Sequence, residues 1–182
     1  MIMEQHSPPY RTDGGETHDH HAHDVADVGV AVLTVTSSRD LDHDPSGDTI
    51  VASVEDTSHY VVTRDLVPDD YDAIQEVIAA LVSRSDVGAV ISTGGTGVSP
   101  EDVTIEAATA LFEKQLPGFG EFFRRRSADE IGTQAMATRA TAGIAEGTLV
   151  ACLPGSQSAA ALGVDLLLPE LGHLVGLAGQ SE

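Results

Sequence analysis

Residues 87–104 have the sequence VGAVISTGGTGVSPEDVT, and this stretch decides the fold that we predict. The apolar run 87–91 predicts a buried strand, and glycines after it allow the backbone to turn sharply and approach a ligand. The loop residues are Thr93, Gly94, Gly95, Thr96 and Gly97. Successive N–H groups in such a turn point at one phosphate, and the threonine hydroxyls add donors. The stretch predicts an anion-binding loop, although a glycine-rich turn without a ligand has the same pattern.

A carboxylate and a helix start follow on the same loop. Thr104 is a candidate cap for a helix over 104–113, and Asp102 lies just before it. A carboxylate beside a phosphate predicts Mg²⁺ between them, because Mg²⁺ is usually held by one or two carboxylates and substrate phosphates.

Better-known nucleotide and catalytic motifs are missing from the sequence. A P-loop ends in Gly-Lys-Ser/Thr, but Lys114 is the only lysine, and no dinucleotide-binding Gly-x-Gly-x-x-Gly opens the first helix. Ser156 is not in a Gly-x-Ser-x-Gly elbow, which argues against a serine hydrolase.

The composition restricts the partners of the protein. The chain has 182 residues, which suits one domain, and a net charge of -20 that repels nucleic acid and anionic membranes. Arg124-Arg125-Arg126 is the only basic run, and a solvated helix face or a subunit contact explains it. An acidic surface with almost no lysine indicates a halophilic protein, because concentrated salt screens the self-repulsion.

The cysteine content and hydropathy indicate a cytoplasmic protein. Cys152 is the only cysteine and lies in an apolar run, so a buried strand thiol is expected rather than a disulfide or a nucleophile. No uninterrupted apolar stretch reaches 18 residues and no basic-then-apolar leader opens the chain, so neither a membrane span nor a signal peptide is expected.

Two regions follow from the order of the patterns along the chain. Residues 1–27 are polar and rich in His and acidic residues, which predicts a disordered tail. Its histidines suit adventitious binding of Zn²⁺, Ni²⁺ or Cu²⁺, and a role in metal handling is the alternative. Residues 28–182 alternate strand and helix patterns, which predicts an α/β domain with a mainly parallel sheet covered on both faces. Ligands are expected at the carboxyl ends of the strands, where the polar loops 36–48, 92–104 and 153–157 lie.

Seven motifs in order resemble the MoaB/Mog family of molybdenum cofactor biosynthesis proteins. They are Thr-Ser-Ser-Arg-Asp at 36–40, Ser46-Gly47, Val67-Pro68-Asp69, the loop 93–97, Asp102-Val103-Thr104, Pro117-Gly118-Phe119-Gly120-Glu121 and Leu153-Pro154-Gly155-Ser156. The resemblance implies a three-layer α/β/α sandwich of the molybdopterin-binding type that forms homotrimers or homohexamers. It also implies adenylylation of molybdopterin, with ATP and Mg²⁺ used and pyrophosphate released.

The same resemblance assigns roles to residues of this chain. It implies that Asp69 and Asp102 are catalytic or Mg²⁺-linked carboxylates, that the loop 93–97 holds phosphate, and that Glu121 faces the site. The implied pterin or phosphate contacts are Ser37, Ser46, Gly47, Gly155 and Ser156. Two alternatives stay open: Asp69 as the cap of the helix after it, and Glu121 as the cap of the helix after Gly120.

One position departs from the family pattern. Many active relatives have Arg immediately before the aspartate that follows the glycine loop, whereas this chain has Glu101. An anion there repels phosphate unless Arg39, Arg139, Mg²⁺ or a neighbouring subunit compensates. The alternative function is therefore a non-catalytic molybdopterin-binding homologue that acts as a carrier or a scaffold for other enzymes of the pathway.

Overall fold

The computed structural model describes residues 24–179, which form a six-stranded sheet with helices on both faces. The strands are β1 (Gly29–Val35), β2 (Tyr60–Val67), β3 (Ala89–Thr93), β4 (Lys114–Gln115), β5 (Thr141–Ala145) and β6 (Thr148–Leu153). The α-helices are α1 (Pro45–Glu55), α2 (Tyr71–Val82), α3 (Thr104–Thr109), α4 (Pro117–Ile131), α5 (Gln157–Leu167) and α6 (Leu171–Ala178). Short 3₁₀ helices are Leu41–His43, Gly132–Ala137 and Leu168–Glu170.

The strand order is β2-β1-β3-β6-β5-β4, and the first four of these strands are parallel. Strand β5 runs antiparallel to both β6 and β4. The prediction of a mainly parallel sheet is therefore confirmed, with an antiparallel edge. Strand β4 was not expected: the predicted helix over 104–113 ends at Thr109, and residues 114–115 pair with β5 instead.

Two core clusters lie on opposite faces of the sheet. Alternate strand residues such as Val32 and Leu149 pack against α1, α4, α5 and α6, while Leu33 and Val150 pack against α2 and α3. Because both faces are covered, the central strands are buried along their whole length. The three-layer α/β/α architecture follows from this packing.

Helix starts differ in detail from the sequence prediction. Asp44 caps α1 by accepting from the Gly47 N–H, although Ser46 and Asp48 in the first turn are equally good cap residues by type. Asp70 caps α2, which rules out the capping alternative for Asp69. Thr104 makes no side-chain cap at α3, because its hydroxyl bonds to the glycine loop.

Residues 146–147 form a hairpin turn between β5 and β6. Glu146 and Gly147 have φ angles of 49° and 77°, the left-handed pair that a two-residue turn requires. The following strand places Cys152 at 0% exposure, as expected for a buried strand thiol.

The stretch Gln157–Ala178 is long and apolar enough, by composition alone, to cross a membrane, and it is the only such stretch within residues 24–179. Leu167 and Leu171 of this stretch are buried in the core cluster that also contains residues of the sheet. The packing of α5 and α6 on the sheet therefore accounts for their apolar character.

The predicted disordered tail falls mostly outside the described residues. Residues 1–23, with the histidine run, are not described, and residues 24–27 contact the domain. Val25 donates to the Gly172 carbonyl at 3.0 Å, and Ser58 Oγ donates to the Ala26 carbonyl at 2.7 Å.

Candidate functional site

A cleft of about 590 Å³ opens at the carboxyl ends of β1, β3 and β6. From β1 the chain crosses to β2 on one side and then returns to β3 on the other, so the cleft lies at a topological switch point. Its lining comes from residues 35–39, Asp69, residues 94–97, Glu101, Asp102, Ala137, Thr138, Pro154 and Gly155. The fold thus brings three of the predicted polar loops into one cavity.

The first part of the glycine loop is occupied by structural hydrogen bonds. The Gly94 N–H donates to the Leu153 carbonyl at 3.0 Å, and Thr93 Oγ1 donates to the Pro154 carbonyl at 3.0 Å. Thr93 is fully buried and does not line the cleft. Its hydroxyl therefore joins the ends of β3 and β6 and does not face the cleft.

The second part of the loop keeps its donors free. Within the described residues, the backbone N–H groups of Gly95, Thr96 and Gly97 make no hydrogen bond. Thr104 fixes the turn from below: its hydroxyl donates to the Gly94 carbonyl and its N–H to the Gly95 carbonyl, both at 3.0 Å. Three donors therefore lie in a fixed turn at the cleft, the arrangement that suits a phosphate.

Glycine is required at the turn itself. Gly95 has a φ of 62°, and a Cβ there would lie 2.2 Å from Thr104 Oγ1. A Cβ on Gly97 would lie 2.6 Å from Asp102 Oδ2. No side chain fits between this loop and the groups that surround it.

Two carboxylates flank the loop, each with one oxygen engaged. Asp69 Oδ2 accepts from Ser37 Oγ at 2.9 Å, and Asp102 Oδ2 accepts from the Ser99 N–H at 2.9 Å. The Oδ1 atom of each makes no hydrogen bond within residues 24–179. A Cβ on Gly95 would lie 3.3 Å from Asp69 Oδ1, so this free oxygen faces the glycine loop.

These oxygens are hard donors of the kind that Mg²⁺ prefers. No group of three or more His, Cys, Asp or Glu residues in the described part of the chain could hold a metal ion by itself. The free Oδ1 atoms of Asp69 and Asp102 fit a Mg²⁺ ion that takes its remaining ligands from a bound anion or water.

Arg39 is the one cationic side chain among the described residues that line the cleft. Its Nη1 donates to Ser46 Oγ at 2.9 Å, and both terminal nitrogens approach the Gly155 carbonyl at 3.4 Å. Ser46 in turn donates to Asp44 Oδ1 at 3.1 Å. A chain of hydrogen bonds thus holds Arg39 across the cleft mouth.

Asp44 lies at the buried end of this series of hydrogen bonds, and its side chain is 0% exposed. It accepts from Thr34 Oγ1 at 2.6 Å and from Arg64 Nη2 at 3.0 Å, besides Ser46 and the Gly47 N–H. Burial alone would raise the pKa of Asp44, but these hydrogen bonds outweigh it and the pKa is lowered. Asp44 therefore stays ionised, and it also raises the pKa of Arg64 against the effect of burial.

Arg139 binds the backbone of the glycine loop through two carbonyl groups. Its Nε donates to the Thr96 carbonyl at 3.2 Å, its Nη2 donates to the Asp102 carbonyl at 3.0 Å, and its Nη1 donates to Glu106. The hydrogen bond from Arg139 lowers the pKa of Glu106. Because Glu106 neutralises it, Arg139 acts on the backbone of the loop and is not free to compensate for Glu101.

The structure groups only part of the predicted site. Residues Ser37, Asp69, Gly94, Gly95, Thr96, Gly97, Asp102 and Gly155 line the cleft together. Residues Ser46, Gly47, Thr93, Ser156 and Glu121 do not. Ser46 and Gly47 are buried beside Asp44, Ser156 caps α5 by accepting from the Ala159 N–H, and Glu121 is exposed within α4.

Sequence reasoning missed Asp44, which is buried behind the cleft, and Thr138, which lines it. The Asp-Pro start of α1 was a usable signal for Asp44, since aspartate is a preferred cap and proline a preferred first helical residue. Glu121 begins no helix, because α4 starts at Pro117. The capping alternative for Glu121 is therefore wrong.

Comparisons with known proteins agree on one family. Residues 31–173 match a family described as a probable molybdopterin binding domain. Molybdenum cofactor biosynthesis protein B of Bacillus subtilis (strain 168) is 40% identical over 162 residues, 88% of this chain and 94% of the relative. The crystal structure of a molybdenum cofactor biosynthesis protein B, 37% identical, covers 85% of this chain and 98% of its own with a TM-score of 0.83. That of the tungsten cofactor synthesizing protein MoaB from Pyrococcus furiosus, 35% identical, covers 84% and 98% with a TM-score of 0.74.

Proposed function

This chain belongs to the MoaB/Mog family of molybdenum cofactor biosynthesis proteins, and we propose that it adenylylates molybdopterin with ATP and Mg²⁺, releasing pyrophosphate. The terminal phosphate of molybdopterin attacks the α-phosphorus of ATP. A bond forms between that phosphate oxygen and the α-phosphorus, and the bond from the α-phosphorus to the bridging oxygen of the β-phosphate breaks. The electron pair leaves with pyrophosphate.

The attacking phosphate is already ionised at neutral pH, so the protein needs no nucleophile and no general base. Its role is to position two phosphates in line and to offset their charge. The free N–H groups of Gly95, Thr96 and Gly97 suit one phosphate, and Arg39 supplies a cation at the cleft mouth.

Asp69 and Asp102 would hold Mg²⁺ through their free Oδ1 atoms, and the ion when bound supplies neutralisation of phosphate charge. Ser37 orients Asp69 through two hydrogen bonds: its hydroxyl donates to Oδ2, and its Oγ accepts from the Asp69 N–H at 3.2 Å. One observation carries the proposal. Asp69 and Asp102 each have one carboxylate oxygen without a hydrogen bond, and they lie beside a loop with three unbonded backbone N–H groups.

The test is pyrophosphate release in molar KCl with ATP, Mg²⁺ and molybdopterin. Wild type should release pyrophosphate, and Asp102→Asn should not, although it retains its circular dichroism spectrum. Asp70→Asn is a matched control, because Asp70 caps α2 and is not part of the cleft lining. Equal release by wild type and Asp102→Asn would refute the assignment.

One observation favours a second function, that of a non-catalytic molybdopterin-binding carrier or scaffold. Glu101 lines the cleft with Asp69 and Asp102, and Arg39 is the only cation among the described lining residues. Three carboxylates disfavour a triphosphate without Mg²⁺. A carrier would bind molybdopterin and release no pyrophosphate, and Glu101→Arg would then be expected to strengthen ATP binding.

We also propose that the protein works in the cytoplasm as a homotrimer or homohexamer. The resemblance to the family supports the assembly, and the net charge of -20 opposes self-association unless salt screens it. Light scattering in molar KCl measures the number of chains directly, and a monomer would refute the assembly.

A further inference from the structure

Ser46 is a buried hydroxyl whose place in the structure differs from the role that the family resemblance implied for it. The resemblance implied a contact with pterin or phosphate, but Ser46 is 0% exposed and does not line the cleft. Its hydroxyl lies between two charged groups: it donates to Asp44 Oδ1 at 3.1 Å and accepts from Arg39 Nη1 at 2.9 Å. Ser46 therefore reaches a ligand in the cleft only through Arg39.

The Asp44 end of this bridge is held by the core. Its Oδ2 atom accepts from Thr34 Oγ1 on β1 at 2.6 Å and from Arg64 Nη2 on β2 at 3.0 Å. An ionised carboxylate only accepts hydrogen bonds, so the hydroxyl hydrogen of Ser46 points to Asp44. The lone pairs of the same hydroxyl are then left for Arg39, which gives the bridge a fixed direction.

The Arg39 end of the bridge keeps one edge of the guanidinium open. Nη1 donates to Ser46, and both terminal nitrogens lie 3.4 Å from the Gly155 carbonyl. The Nε–H makes no hydrogen bond within residues 24–179, and the side chain is 35% exposed. The Nε and Nη2 edge of a guanidinium binds two oxygens of one phosphate at once. Arg39 is therefore held on one edge and accessible on the other.

Ser46 also keeps Arg39 apart from Asp44. Arg39 Nη1 lies 3.7 Å from Asp44 Oδ1, beyond hydrogen-bond distance. Opposite charges attract more strongly where water is excluded. Without the hydroxyl between them, the guanidinium would therefore move towards the buried carboxylate and away from the cleft mouth.

We propose that Ser46 is a positioning residue, which holds Arg39 so that the Nε and Nη2 edge of its guanidinium binds a phosphate in the cleft. The inference rests on the proposed function, because that function assigns Arg39 to phosphate. The phosphates of a nucleotide and of a pterin side chain share this chemistry, so both are tested.

A double-mutant cycle tests whether Ser46 acts through Arg39 alone. Calorimetry in molar KCl measures binding of MgATP and of neopterin monophosphate to wild type, Ser46→Ala, Arg39→Met and the double variant. Thr34→Val is the matched control, because Thr34 donates to the same carboxylate as Ser46 but makes no hydrogen bond with Arg39. Adenosine and neopterin, which lack phosphate, are the reference ligands.

We expect Arg39→Met to weaken at least one phosphate ligand by about tenfold or more, and Ser46→Ala to weaken the same ligand by about three- to tenfold. Ser46→Ala should have no further effect in the Arg39→Met background, because the group that it positions is gone. Thr34→Val should bind like wild type, and the reference ligands should not distinguish the variants. If Ser46→Ala does not fold, Ser46→Cys takes its place in the cycle.

Two results would overturn the inference and leave the proposed function standing. Equal weakening by Ser46→Ala in both Arg39 backgrounds would show a merely structural role, and unchanged phosphate binding by Ser46→Ala would show that Arg39 does not need it. Failure of the wild type to bind either phosphate ligand would overturn both. Binding of MgATP with the expected cycle, but without pyrophosphate release, would refute adenylylation alone.

Discussion

Replacement of Asp44 by Asn isolates the charge that holds Arg39 at the cleft. The side chain is 0% exposed and accepts four hydrogen bonds, from Thr34, Ser46, the Gly47 N–H and Arg64. Asparagine has nearly the same shape and is an equally good helix cap, so the cap of α1 should survive. The amide nitrogen of asparagine, however, is a donor, and each carboxylate oxygen that it could replace accepts two hydrogen bonds in the wild type.

The structure sets the size of the effect. Removal of one partner of a buried ion pair costs about 3–5 kcal/mol. Arg64 keeps Asp48 as a partner at 2.7 Å, which favours the lower end, although its Nε is buried without a hydrogen-bond partner among the described residues. We therefore expect Asp44→Asn to lower the free energy of unfolding by about 3 kcal/mol, equivalent to about 6–12 °C in Tm for a domain of this size.

Urea unfolding in 2 M KCl at a fixed protein concentration measures this loss. The matched control is Asp48→Asn, because Asp48 pairs with the same arginine but its side chain is 61% exposed. That variant should lose less than about 1 kcal/mol, as exposed ion pairs do. A loss below about 1 kcal/mol for Asp44→Asn, or equal losses for both variants, would refute the reasoning.

The pH dependence of unfolding tests whether the ionised form of Asp44 is the one that stabilises the fold. The pKa of Asp44 is lowered in the folded protein, so its stabilisation is fully present above the unfolded pKa of about 3.9. It is lost as the pH falls through the lower folded pKa. The stability difference between wild type and Asp44→Asn should therefore be constant from pH 5 to 7 and shrink below about pH 4. A difference that grows on acidification would contradict this assignment.

Three further predictions concern the loop, the thiol and the surface. Gly95→Ala should cost about 3 kcal/mol, because its φ is 62° and the Cβ would meet Thr104, whereas Gly132→Ala, with φ 60° and open space, should cost about 1–2 kcal/mol. Equal unfolding free energies for these two variants would count against the crowding argument. Cys152 should resist iodoacetamide at pH 8 until the protein unfolds, because burial raises the pKa of the thiol to about 11; rapid labelling of native protein would contradict it. The net charge of -20 predicts a lower Tm in 50 mM KCl than in 2 M KCl, because the Debye length falls to about 3 Å at 1 M and repulsion between the carboxylates is then screened. A Tm that does not depend on salt would rule out that effect.

Several elements were predictable because their signals are local. The apolar run 87–91 and the glycines after it identified β3 and its loop, and α2 has a clear helical period. Helix ends were less predictable, because aspartate, serine and threonine are all good caps and the chain offers several at each start. At α1 the candidates Asp44, Ser46 and Asp48 lie within five residues, and only the geometry selects Asp44.

The site residues show the same contrast between local sequence signals and contacts that depend on the tertiary structure. The sequence pattern placed Asp102 beside the glycine loop, and the family resemblance added Asp69; both line the cleft with the loop. Thr93 was assigned to the ligand, but a threonine hydroxyl looks the same whether it faces a cleft or a neighbouring strand. Its bond to the Pro154 carbonyl depends on β6 pairing with β3 across 61 residues of chain.

The sequence by itself determined the α/β class, the mainly parallel sheet, the position of the glycine loop and the net negative charge. These depend on residue type and on periods of two or 3.6 residues, which short-range sterics and burial fix. Only the tertiary structure decided that Asp44 holds Arg39 through Ser46 and that Arg139 binds the backbone of the glycine loop. Those contacts join residues that are distant in the chain, and their hydrogen-bond partners exist only after the sheet has brought the loops together.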